Sequence, residues 1–157
     1  TPESAGMFYQ WNRKIGWSST DPMTNSNGGT EWDSTIPEGT EWETANDPSP
    51  AGWRVPTFDE LKSLFDVEKV TNEWTTQNGV NGRKFTDKAT GNTLFLPAAG
   101  IRYDSDGTLG LAGTDGYYWS SSQFNSDCAY GLYFGSGGAG TYYYSRSYGF
   151  CVRPVAE

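Results

Sequence analysis

The sequence predicts an α+β domain built mostly from short antiparallel strands and long loops, with one or two helices. Three observations carry that expectation. Only one segment has both a helix start signal and a helical apolar stripe. Several short aromatic and β-branched runs are punctuated by Gly, Asn and Asp. Finally, 20 Gly, 8 Pro and 25 aromatic residues (7 Trp, 10 Tyr, 8 Phe) in 157 positions describe a loop-rich fold pinned by large rings and not a disordered chain.

In chain order, residues 1–6 (TPESAG) read as a tether, and residues 7–157 as one domain. From Met7 to Pro50 there is little periodicity, yet Trp11, Trp17, Trp32 and Trp42 recur among Asn, Gly, Ser and Pro. This stretch is expected to form long loops and short strands held by buried rings. Gly52-Trp53-Arg54-Val55 reads as a strand or turn, with Trp53 in the core. Thr57 then offers an N-cap and Glu60 completes a capping box, while Leu61, Leu64 and Phe65 form one stripe. Arg83–Thr86 and Thr93–Leu96 flank a turn at 87–92 and predict a hairpin. Gly116–Ser121 is an aromatic strand. Ala129–Phe134 and Thr141–Arg146 are expected to pair across a flexible loop at 135–140, and Phe150–Val155 closes the chain.

The composition excludes much chemistry. There is no His, which removes Ser-His-Asp triads, Cys-His dyads and His-ligated zinc. A net charge of −8 argues against nucleic-acid binding, which needs clustered Lys and Arg. The acidic surplus lies mainly before residue 75 and reads as solvated surface. No apolar run reaches the roughly 20 residues of a membrane-spanning helix, so no membrane insertion by this domain is expected. A charged-then-apolar secretory pattern is also missing, but a chain that opens at Thr1 leaves export undecided.

Four phrases occur in order: Gly52-Trp53-Arg54-Val55-Pro56-Thr57, Leu94-Phe95-Leu96-Pro97-Ala98-Ala99-Gly100-Ile101-Arg102, Gly116-Tyr117-Tyr118-Trp119-Ser120-Ser121 and Gly149-Phe150-Cys151-Val152-Arg153-Pro154. Together they resemble the Fibrobacter succinogenes major paralogous domain family over about Trp42 to Val155. That family is similar to the formylglycine-generating-enzyme branch of the C-type lectin fold. One departure is Ser49-Pro50, where relatives often carry Cys-Pro. The resemblance implies a C-type lectin-like fold and a surface or secreted module, cellular or phage-borne, of the kind found in gut Bacteroidales and their phages.

A subset of that fold forms the variable proteins of diversity-generating retroelements, in which adenines of a template repeat are miscopied. Lys, Glu, Gln, Met and Trp cannot arise from an Asn codon when only its adenines change. Those five types occur 25 times in residues 1–123 and not once from Phe124 to Cys151. The resemblance therefore implies a variable region at about 117–152. Its candidate ligand contacts are Phe124, Asn125, Asp127, Cys128, Gly131, Tyr133, Gly135, Gly138, Gly140, Tyr142, Tyr143, Tyr144, Ser145 and Tyr148. Strand alternation puts Gly131 and Tyr133 on one face while Leu132 and Phe134 point to a core. Three consecutive Tyr on a strand cannot all face inward, and Tyr, Ser and Gly are the vocabulary of paratopes. Alanine at Tyr142, Tyr143 and Tyr144 is accordingly expected to remove binding and leave stability nearly unchanged.

The implied activity is non-enzymatic binding, with no cofactor and no metal. The expected partner is a protein on another cell or host surface. The alternatives are an undiversified adhesin or pilus-associated domain that binds glycan and, more remotely, a formylglycine-generating-type oxidase. Cys128 and Cys151 have three readings: a disulfide, a copper or redox pair, or two products of diversification with an exposed thiol. Gly135–Gly140 lacks the Gly-Lys-Ser/Thr ending of a phosphate loop. Asp104-Ser105-Asp106-Gly107-Thr108 resembles the start of a calcium loop with Asp115 at position 12, but intermediate ligands are missing and a polar turn is the better reading. Neither triplet of calcium-dependent sugar sites is present, and Trp53 and Trp119 are expected in the core rather than as sugar platforms.

Overall fold

The computed structural model describes all 157 residues. The chain runs β1 (Phe8–Tyr9), β2 (Gly16–Trp17), a 3-10 turn (Thr44–Asn46), β3 (Trp53–Arg54) and α1 (Phe58–Ser63). It continues through β4 (Val70–Gln77), β5 (Val80–Asp87), β6 (Thr93–Pro97), β7 (Ile101–Arg102) and β8 (Leu109–Gly110). The last third holds β9 (Gly116–Gln123), β10 (Cys128–Gly135), β11 (Gly138–Ser145) and β12 (Val155–Ala156). Two three-stranded antiparallel sheets, β4-β5-β6 and β11-β10-β9, are accompanied by three two-stranded ribbons, β1-β2, β3-β12 and β7-β8. The sequence expectation of mostly short antiparallel strands is met, and of the one or two helices expected there is one small α-helix beside a 3-10 turn. No helix is long and apolar enough to cross a membrane.

The helix forms as its signals predict. The Thr57 side chain accepts from the Glu60 backbone N–H while the Glu60 carboxylate accepts from the Thr57 N–H, a complete capping box. Leu61 is buried, with Leu64 and Phe65 against the same core. The β5–β6 hairpin is also as expected. Missing from the sequence reading was β4, eight residues paired along their whole length with β5. Its signal lay in Asn78-Gly79, whose φ values of 49° and 81° suit the type I′ turn that joins paired strands. The predicted loop at 135–140 shrinks to the pair Ser136-Gly137, because Gly135 and Gly138 are already register partners.

Two cores lie on either side of the β9–β11 sheet. Tyr118, Leu132 and Phe134 join the larger one with Phe8, Trp17 and Leu61, whereas Trp119 and Ala129 join Trp11, Trp42, Ile101 and Phe150 in the second. The N-terminal loops are tied down through their indoles, as expected: Trp11 donates to the Ser120 carbonyl (3.0 Å), Trp42 to Asn46 (2.8 Å) and Trp32 to Asp104 (2.9 Å). Trp119 is buried, but Trp53 is 48% exposed because β3 is a two-residue ribbon on the surface; the expectation of a core Trp53 is corrected. Residues 1–6 do not hang free: Glu3 accepts from Gln77 (2.7 Å) and Asn78 (2.9 Å), and Ala5 packs on the larger core. Residues 104–108 form a polar turn, with the Asp106 carboxylate accepting from the Thr108 N–H.

Two buried arginines, which sequence reading did not single out as anchors, staple the loops. Arg102 donates to Ser18, Thr20, Asp21 and Gly107. Arg146 donates to the carbonyls of Pro37 (3.0 Å), Gly39 (2.9 Å) and Asn125, and to Gln123 Oε1 (3.1 Å), and lies 4.3 Å over the Trp11 ring. It has no carboxylate partner, and burial pulls its pKa below the ordinary guanidinium value. Carbonyl dipoles from separate loops meet the charge instead, which a planar fork of donors suits.

Candidate functional site

The candidate site is built on the β10–β11 hairpin. The register pairs Gly131 with Tyr142, Ala129 with Tyr144 and Tyr133 with Gly140, so Tyr133, Tyr142 and Tyr144 share a face with Gly131. Leu132 and Phe134 point the other way into the larger core, as alternation predicts. The Gly131–Tyr133 face is not uniformly open, however. Toward Cys128 it is covered by the second core, and only toward the Ser136-Gly137 turn does it reach solvent.

There it forms a concavity of about 490 Å³ lined by Asp115, Tyr133, Gly135, Tyr142, Tyr144 and the turn. Gly138 and Gly140 have nothing within 4 Å of where a Cβ would sit, so bare backbone forms part of the wall. The Tyr133 ring lies 5.2 Å from Tyr117, and Tyr144 meets Tyr117 edge-on at 5.7 Å. Burial, then the Asp115 charge, lifts the Tyr117 hydroxyl to about 12. Burial, then neighbouring tyrosines, pushes Tyr144 higher still, and Tyr148 is also raised, chiefly by burial. These hydroxyls remain protonated donors at neutral pH.

A second aromatic group continues around the edge of the sheet. Tyr142 and Tyr143 stack at 4.5 Å, Tyr143 stacks on Phe124 at 3.8 Å, Phe124 meets Tyr130 edge-on at 5.5 Å, and Tyr130 stacks on Phe58 at 3.9 Å. Three of these rings are substantially exposed: Tyr142 (50%), Phe124 (41%) and Tyr143 (39%). Groove and ridge thus make one aromatic surface wrapped around β11. Phe58 and Tyr130 were not among the predicted contacts; Phe58 was hidden by its place in the helix start, and nothing in the local pattern places it beside Tyr130.

The predicted site residues divide. Phe124, Tyr133, Tyr142 and Tyr143 lie on the aromatic surface, and Gly138 and Gly140 shape the groove. Asp127 is exposed on the neighbouring loop. Gly131 is a correction: it is buried, and a Cβ there would sit 2.9 Å from the Tyr118 carbonyl and 3.6 Å from the Tyr144 ring. Gly135 is likewise buried, beneath Tyr133. Tyr144 is mostly packed against Tyr117 and Phe150, which makes it as much core as surface. The Asn125 carboxamide is spent on its own loop, accepting from the N–H groups of Asp127 (2.9 Å) and Cys128 (2.8 Å). Ser145 pairs with Ser147 (3.1 Å), and Tyr148 stacks on Phe150 at 5.6 Å.

The two thiols are free and are not brought together. Cys128 opens β10 beside Phe124, whereas Cys151 bridges to Tyr118, whose register partner Leu132 lies four positions from Cys128 along β10, about 13 Å by strand rise. A disulfide needs Cα atoms within about 7 Å, so that reading is overturned. Cys151 is buried, donates toward the Ala5 carbonyl (3.7 Å) and is pushed up to about 12 by burial, so it is not the exposed thiol that diversification would leave. Cys128 is half-buried and also raised, mainly by burial. Neither is the low-pKa thiolate that nucleophilic or metal chemistry uses.

No curated protein and no solved structure matches the chain. The family comparison does: the Lcl C-terminal domain matches residues 7–156, from the residue before β1 to the end of β12. With the match spanning nearly the whole chain, and with it both cores and the aromatic surface around β11, this protein belongs to the Lcl C-terminal domain family.

Proposed function

We propose that this domain is a non-enzymatic ligand-binding module of C-type lectin-like type, displayed on a cell or phage surface. Its binding face is the aromatic surface around β11, and its ligand is a protein on another cell or host surface. The observation that carries this reading is the exposure of Tyr142, Tyr143 and Phe124 as one stacked ridge along β11 and the loop before β10. Such rings supply large contact area with few torsions to freeze. Membership of the Lcl C-terminal domain family supports it. The absence of Lys, Glu, Gln, Met and Trp from Phe124 to Cys151 supports retroelement diversification of the same surface.

Two experiments test the reading. Sequencing the source locus should find a near-copy of the codons for 117–152 that differs only at adenines, beside a reverse transcriptase; a locus without one ends the diversification claim. Screening the domain against host-surface protein and glycan arrays should yield a binder that the Tyr142→Ala/Tyr143→Ala double variant loses while its melting temperature is kept. A binder indifferent to that variant refutes the assignment of the face.

A second reading, an undiversified glycan-binding adhesin, is favoured by one observation. The half-exposed Trp53 borders a concavity of about 480 Å³ with Lys14, Glu41, Asp47 and Thr57 along its wall. Sugar binding lost in Trp53→Ala and kept in the tyrosine double variant would establish it.

A further inference from the structure

The groove beside the ridge has a chemistry that its aromatic character alone does not describe. At its floor Gly135 is covered by two polar side chains. A Cβ there would lie 3.2 Å from the Tyr133 hydroxyl and 3.6 Å from Asp115 Oδ1, so a phenol and a carboxylate converge on the same space. Asp115 is held in place by its backbone: its carbonyl accepts from Gly100 (2.9 Å) and its N–H donates to Leu111 (3.0 Å). None of the five ion pairs of the fold uses its carboxylate. The groove lining contains no Lys or Arg. Behind the groove floor, Arg83 is engaged by the Gly135 carbonyl (2.9 Å) and by Asn72 (2.7 Å), to both of which it donates. The domain as a whole carries −8.

We infer that this groove receives a basic side chain, arginine or lysine, projecting from the protein partner. Its charge is met by Asp115 and its stem and cationic face lie against Tyr133, Tyr142 and Tyr144. An unpaired carboxylate among tyrosine rings favours a cation over a neutral or anionic group of the same size. The glycines at 138 and 140 leave open the volume that such a side chain fills. This inference rests on the ligand-binding reading above and names the partner chemistry that the site selects.

The test is selection of a random peptide display library on the intact domain, run in parallel on Asp115→Asn and on Tyr142→Ala/Tyr143→Ala. Asp115→Asn is a near-isosteric change at a half-buried residue whose carboxylate makes none of the fold's ion pairs, and its melting temperature is expected to match the wild type. The expected result is enrichment of Arg or Lys at one peptide position on the wild type, with affinity falling roughly fivefold in Asp115→Asn and weakening as salt is raised. Amide chemical-shift changes should then centre on Gly135, Gly138 and Gly140. Peptides that bind through the tyrosine pair without basic enrichment, or with affinity unchanged in Asp115→Asn, overturn the inference and leave the binding face standing. Peptides indifferent to both variants overturn the inference and the binding face together.

Discussion

Replacing Tyr144 by alanine should destabilise the domain by about 2–3 kcal/mol, whereas the same change at Tyr142 should cost no more than about 1 kcal/mol. The difference is worked from the packing. The Tyr144 ring sits 5.1 Å from Phe150 and 5.7 Å from Tyr117, and it covers Gly131, so truncation opens a gap in the second core. Roughly 100 Å² of apolar ring surface at about 25 cal/mol per Å² is about 2.5 kcal/mol, with edge-to-face pairing on top. Tyr142 is half exposed and its stacking neighbour Tyr143 is itself exposed, so little is re-exposed when it goes. In a domain of this size, 1 kcal/mol moves the melting temperature by about 2–4 °C, so the Tyr144 variant should melt roughly 5–10 °C lower and the Tyr142 variant within about 4 °C of the wild type. Urea titration followed by circular dichroism, with thermal scans alongside, measures both. Equal losses at the two positions, or none at Tyr144, would refute the division of the tyrosine run into core and surface. The expectation that all three tyrosines can be removed without loss of stability is thereby replaced by a different one for each ring.

Three further outcomes follow from the same contacts. Arg146→Lys should lose about 3 kcal/mol or more, since one ammonium cannot reach the carbonyls of Pro37, Gly39 and Asn125 together; hydrogen exchange should rise in 37–41 and 124–128, and unchanged exchange there would sink the anchoring role. Glu60→Gln should flatten the acid side of the stability curve. The Glu60 carboxyl is held down to about 2, first by Arg54 (2.6 Å), from an ordinary 4.5, so its contribution is full above pH 4.5 and fades as pH falls toward 2; identical curves for wild type and variant across that window refute the link. In thiol labelling at pH 8, Cys128 should react slowly and Cys151 only after unfolding, with intact mass showing two reduced thiols; rapid labelling of Cys151 would contradict its burial.

Local signals determined the local structure. Thr57 and Glu60 specify a helix start because the capping box needs only residues three apart, and alternation on 129–134 assigns Leu132 and Phe134 inward because strand side chains repeat every two residues. The aromatic, Gly-rich and charge-poor run from Phe124 to Cys151 marks the candidate surface in the sequence alone. What only the tertiary structure decided is which side of that run is covered. Alternation assigns a side chain to one face or the other, but whether that face meets solvent depends on what packs on it from far along the chain. Here Phe150, Trp11 and Trp42 close one end of the Gly131–Tyr133 face, and so Gly131 is buried and Tyr144 is divided between core and groove. Phe58, brought from the helix, extends the ridge through Tyr130, and Asp115, positioned by its bonds to Gly100 and Leu111, supplies the charge in the groove. Trp53 shows the converse: a large apolar ring suggests a core position, yet a two-residue ribbon at the surface has no layer left to bury it.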